Sequence, residues 1–234
     1  MAGDSVIYEE RRAEGASCSG AETGGDFQAS SAVDADLSSE ASSTGQRSSS
    51  TSVLELFGVR LEDLEDEGTG EVVEALISGG NTILATAIDG EISSSSSSVD
   101  GLSDTSSSFD VVGVGGSHAN VAIGADGSLS SDLDFVLNST AESTHRDAAV
   151  VIDGEQFSGS DFEQINAGGN WVASSDLAGS FIGIAESAVG DADVINEIDA
   201  ILGSSTTELL VKGSSNVDSN ADVSLDYISS SQSG

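Results

Sequence analysis

Apolar residues along this chain fall mostly at every second position, in short runs separated by Gly, Ser, Asp and Asn. FDVVGV, HANVAIG, SLSSDLDFVLN, AAVVID, NWVAS and SFIGIAES each read as a strand with one face turned to a core. TSVLELFGV, TILATAI and TELLVKG add three more, and Val33, Ala35 and Leu37 alternate with Asp34 and Asp36 in another. GEVVEALIS is ambiguous, since Val72, Val73, Leu76 and Ile77 suit a helix as well as a buried strand. One segment departs from the period of two. In VGDADVINEIDAILG the apolar positions Val194, Ile195, Ile198, Ile201 and Leu202 follow i, i+1, i+4, i+7, i+8, with Asp191, Asp193, Glu197 and Asp199 around the outside. An acidic residue at the start and Gly203 at the end supply caps. The pattern predicts a mainly β fold: an antiparallel β-sandwich or barrel with one packed amphipathic helix at about 190–202.

Two stretches lie outside that domain pattern. Residues 1–50 are Ser, Gly, Ala and acids with thin apolar punctuation, and are expected to form an extended N-terminal arm. EISSSSSSVDGLSDTSSS, at about 91–108, is expected to be a long Ser-rich loop. The expected organisation is therefore an arm at 1–50 and a β-rich domain at 51–234.

Composition adds the setting. The 234 residues carry 41 Asp and Glu against 6 Lys and Arg, a formal net charge of -35, and no proline. Hydrophobic residues make up 37%, more than disordered chains of such charge carry, so the chain is expected to fold. At ordinary ionic strength this surface repels itself. In molar salt the Debye length shrinks to about 3 Å and the repulsion largely vanishes. The acidic surface, the single lysine (Lys212) and the small side chains resemble proteins of extreme halophiles. The same charge argues against tight nucleic-acid binding, which depends on Lys and Arg at phosphates, and against anionic membrane surfaces. No run of 18 apolar residues marks a membrane helix. One cysteine, Cys18, leaves no internal disulfide and no multi-Cys zinc site. MAGDSVIYEERRAEGAS has no apolar core region of a signal peptide, so synthesis in the cytoplasm is expected. The absence of proline leaves loop backbones free to pair with a neighbour, which points toward subunits that join sheets.

Candidate chemistry is sparse. In NVDSNADVSLDYISSS, Asp218, Asn220 and Asp222 take the first ligand positions of a calcium loop, followed by Ser224. The sixth position is Val223 rather than Gly, and the twelfth is Ser229 rather than Glu. Val217, Ala221, Val223, Leu225 and Tyr227 alternate with them, so the stretch reads as a final strand whose acids face solvent. No cofactor is expected, beyond loosely held cations. Of the two histidines, His118 lies in GGSHAN, which suits a turn, and neither it nor His145 sits in a recognisable nucleophile motif. Trp171 reads as a core or interface anchor. Asn138-Ser139-Thr140 is a glycosylation sequon, relevant only to an exported chain.

In layout the expected sandwich (strands from 109 to 185), the helix at 194–202 and the final pair of strands resemble tail-tube or capsid-associated proteins of tailed viruses, here of a halophilic (haloarchaeal) host. The resemblance implies a non-enzymatic subunit that self-assembles into a virion component, with copies of itself and other virion proteins as partners. The composition equally suits a cell-surface filament, sheath or S-layer-like subunit. A third reading is a hydrolase whose catalytic groups the sequence does not locate.

Overall fold

A computed structural model describes residues 4–14, 17–18, 21–61, 75–116 and 120–231. In chain order its strands are β1 (Ser5–Glu14), β2 (Ser17–Cys18), β3 (Ala21–Thr23), β4 (Phe27–Ser43), β5 (Ser48–Leu61), β6 (Ala75–Ser78) and β7 (Thr82–Ser98). They continue with β8 (Ser103–Gly116), β9 (Asn120–Ile123), β10 (Gly127–Ser143), β11 (Ala148–Ala167), β12 (Trp171–Ser187), β13 (Ala192–Val211) and β14 (Ser215–Ser231).

Every strand pair among the described residues is parallel. One sheet stacks β4, β7, β10, β12 and β14 in that order, and the facing one is built around β1, β5, β8, β11 and β13. The chain passes from one sheet to the other at each turn and rises by one strand per circuit. Among the described residues the result is a parallel β-solenoid of five coils. Residues that share a rung stand 55, 45, 44 and 44 residues apart. The 55-residue circuit contains residues 62–74, Val72 and Val73 among them, which lie outside the described set.

This architecture corrects the expected antiparallel sandwich or barrel. Inward–outward alternation is common to both, so period two alone does not separate them. The turns decide it, because they repeat and hold each coil on the one before. Ser98, Ser143 and Ser187 each open a turn. Their Oγ atoms accept from the N–H of Gly101, Arg146 and Gly190 at 2.8, 3.0 and 2.7 Å. The same hydroxyls donate to the preceding coil, at the carbonyls of Gln46, Gly101 and Arg146. At the opposite turn, Asp26 Oδ1 accepts from Asn81 N, Asn81 Oδ1 from Asp126 N, Asp126 Oδ1 from Asn170 N, and Asn170 Oδ1 from Ser214 N. A glycine is needed beside that ladder. A Cβ on Gly79 would lie 2.7 Å from the Gly24 carbonyl oxygen, and one on Gly124 2.5 Å from that of Gly79.

The expected helix at 190–202 is instead the first half of β13. Val194 and Ile198 pack on the core while Ile195 is 59% exposed. A spacing of four satisfies a period of two as well as one of 3.6, which is why the stripe misleads. Pairing with β11 along 148–167 then selects the strand. The expected arm is also coil: β4 pairs with β7 at all positions from Phe27 to Ser43, and Val33, Ala35 and Leu37 are buried. The Ser-rich stretch at 91–108 is strand on both sides of a turn at 99–102.

Between the sheets the interior changes character along the coil. Phe109, Phe135 and Phe181 pack at centroid separations of 4.6, 5.3 and 6.1 Å. Two of the rows contain glycines: Phe109 pairs with Gly154, and Phe135 lies between Gly90 and Gly179, whereas Phe181 pairs with Leu137. The Phe109 and Phe135 rings fill space that those glycines leave empty. Toward the Ser-bearing turn, hydroxyls replace the rings. Ser39, Ser52, Ser94, Ser107 and Ser139 are all buried and form a chain of hydrogen bonds of 2.6–3.1 Å that crosses the interior at each step. Small side chains there let the sheets approach closely, and each of these five hydroxyls finds a partner in the other sheet. Trp171, 1% exposed, anchors a second apolar cluster with Leu84, Leu129 and Ile165.

Candidate functional site

In-register parallel stacking copies the outward pattern from coil to coil, and here it copies carboxylates. Asp34, Asp89 and Asp134 occupy one row across β4, β7 and β10. Asp36 pairs with Glu91 in the next outward row, and Asp132 with Asp176 in the preceding one. On the facing sheet Glu55, Asp110, Glu155 and Asp199 share a row headed by Arg12. Adjacent strands are about 4.8 Å apart, so neighbouring charges repel by about 0.9 kcal/mol in bulk water. Asp89, with an acid on each side, has its carboxyl pushed above the usual range by partial burial first, then by Asp134, Asp34 and Asp36. A shallow hollow of ≈ 290 Å³ runs beside these acids, floored by Ala32, Val33, Ala87 and Ile88.

Asp218, Asn220 and Asp222 lie on β14 and are exposed. Alternate residues of a strand stand about 6.6 Å apart along it, so the three side chains spread along a face instead of closing around one ion. Asn220 instead stacks on the coil below, its Nδ2 donating to Asp176 Oδ1 at 3.4 Å. Among the described residues no group of three or more His, Cys, Asp or Glu is arranged to hold a metal ion.

His145 sits in an exposed turn, with Nδ1 2.9 Å from the Val99 carbonyl and 2.9 Å from Asp100 Oδ1. The serines nearest that turn, Ser98 and Ser143, are committed to the coil-to-coil clips described above. A groove of ≈ 430 Å³ beside them is lined by hydroxyls, Glu142 and Glu186. His118 and Ser117 lie outside the described residues. Cations are few; Arg47 meets Asp104 at 2.7 Å, and Arg12 meets Glu55 at 3.8 Å while lying 5.0 Å from the Phe57 ring centroid.

The arrangement is thus a short stack of coils with acid-lined walls, its groups repeated rather than converging. Sequence reasoning missed the two turn ladders. The signal was present, as GGD, GGN, GAD and GGN at 24–26, 79–81, 124–126 and 168–170.

Neither a known protein family, nor a characterised protein, nor a solved structure matches this chain. The layout that resembled tail-tube and capsid-associated proteins was a sandwich flanked by a helix. The all-parallel solenoid takes the place of both.

Proposed function

We propose that this chain is a non-enzymatic structural subunit, a short acid-faced stack of coils suited to high salt that assembles with copies of itself. The observation that supports this reading is the uniformity of the stacking. β10 and β12 match at every position from Gly127 to Ser143, as do β12 and β14 from Trp171 to Ser187. Such a fold grows along one axis and shows the same walls at every level. Its outward rows of Asp, Glu and Ser keep the walls hydrated, and screening in molar salt removes the repulsion that those rows create.

Analytical ultracentrifugation and electron microscopy across a salt series test the reading. Particles of constant width, whose mass rises with protein concentration in molar salt, are expected. A sharp monomer at every salt concentration overturns it. Full thermal stability after dialysis into dilute buffer overturns the salt adaptation.

A further inference from the structure

The two edges of the solenoid share one set of rows, because each coil lies in register with the next. Among the described residues β13 pairs only with β11, and β14 only with β12. Their other edges therefore offer unpaired backbone groups, as do β1 and β4 at the opposite end. The β13–β14 edge also carries marks of an unfinished core. Val223, in the row of Ala35, Gly90, Phe135 and Gly179, is 45% exposed. Asn196, in the row of Glu9, Ser52, Ser107 and Ile152, has a buried Oδ1 with no hydrogen-bond partner. A buried amide oxygen left alone is a cost that native structures seldom carry.

We infer that a second copy completes this edge end to end, its β1 continuing the sheet beyond β13 and its β4 continuing beyond β14. The inference rests on the structural-subunit reading and specifies which surfaces meet. Extending the observed register places the incoming Arg12 opposite Asp199, at the end of the row Glu55, Asp110 and Glu155. It places Ala35 over Val223, covering the exposed apolar position. It places Arg11 over Ile198, two residues along the strand from Asn196. In the single copy Arg11 Nη1 donates to the Asp36 carbonyl at 2.6 Å, covering one rung of the β4 edge. On joining, the β14 backbone takes over that carbonyl, and the released guanidinium lies within a side chain's reach of the Asn196 oxygen. The turn ladder continues as well: Ser214 Oγ, which donates to Asn170 Oδ1 at 3.0 Å, becomes the acceptor for the backbone N–H of the incoming Asp26. Not every row is favourable. Glu10 falls over Glu197 and Asp34 over Asp222, so the joint needs salt to screen it.

The register makes the inference testable with the full chain in molar salt. Val223→Lys places an ammonium under the incoming Ala35 while sitting at an open edge, so its melting temperature should match the parent within error. End-to-end association should weaken at least tenfold, read as sedimentation-derived mass and particle length. Arg12→Glu should weaken it too, and Arg12→Glu combined with Asp199→Arg should restore it, because the two positions meet only in this register. Assemblies unaffected by Val223→Lys, or a charge exchange that fails to restore, overturn the inference and leave the subunit reading standing on another face. A parent chain that stays monomeric removes both.

Discussion

Gly90 is the most informative single position to perturb. It lies on β7 between Ala35 and Phe135, and a Cβ there would stand 2.8 Å from Leu56 Cδ1 and 2.8 Å from Phe135 Cδ2. Neither neighbour has room to retreat. Leu56 and Phe135 are both fully buried, and the Phe135 ring is held 4.6 Å from that of Phe109. Gly90→Ala therefore overpacks the core, at an expected cost of about 1–3 kcal/mol. In a chain of this size each kcal/mol lowers the melting temperature by about 2–4 °C. Urea unfolding in molar salt, followed by the fluorescence of buried Trp171, measures the loss. Shortening the offending ring should relieve it. Phe135→Leu in the Gly90→Ala background should cost less than the sum of the single changes by more than about 0.5 kcal/mol. Gly24→Ala is the control: a Cβ there meets nothing within 4 Å, so a change within about 0.5 kcal/mol is expected. Additive effects of Gly90 and Phe135, or equal costs at Gly24 and Gly90, would refute the account of rings seated in glycine gaps.

Three further outcomes test other features. Ser94→Ala removes the hydroxyl joined to Ser52 and Ser107 at 2.6 and 3.1 Å and should cost about 1–3 kcal/mol by denaturant unfolding; a neutral result would mean the interior hydroxyl chain is not cohesive. Asp89 has its folded carboxyl raised above the unfolded value, so the folded state binds the proton more tightly and stability rises as pH falls through that range. Asp89→Asn should accordingly stabilise the protein at neutral pH and flatten that slope in thermal melts, and an unchanged slope would remove the carboxylate row as its source. Asn170→Ala deletes the acceptor for Ser214 N and Oγ at 3.1 and 3.0 Å. Amide exchange should then accelerate in β14 well beyond β10, whereas uniform acceleration would show that the ladder does not act locally.

The alternation of strands was open to reading, and so was the burial it implies. Val33, Ala35 and Leu37 inward with Asp34 and Asp36 outward is what β4 shows. NVDSNADVSLDYISSS is likewise the final strand, with Asp218 and Asp222 exposed. Strand direction was not readable from that alternation, because Val150 and Val194 would face inward in either sense. Direction follows from rungs 44 residues apart, such as Asp147 and Asp191, whose side chain and N–H meet only when the chain returns to the same place. That spacing exceeds the window in which periodicity is judged. The serines misled in the same way: an isolated Ser run looks like a linker, yet Ser94 and Ser96 find partners on another strand, at Ser52 and Ser103. The coordinates of such partners are non-local, and no local pattern contains them.

The repeating turns also make the molecule divisible. Residues 127–170 comprise one strand from each sheet and both kinds of turn, and Gly127 and Trp171 stand at the same point of successive circuits. Excising that cassette joins Asp126 to Trp171, an Asp-then-strand junction like those already present at Asp26 and Phe27. Duplicating it raises the stack by one strand spacing, about 4.8 Å, with the cross-section unchanged. Length in this protein is therefore a countable quantity, and unequal recombination between coils could adjust it without designing a new fold.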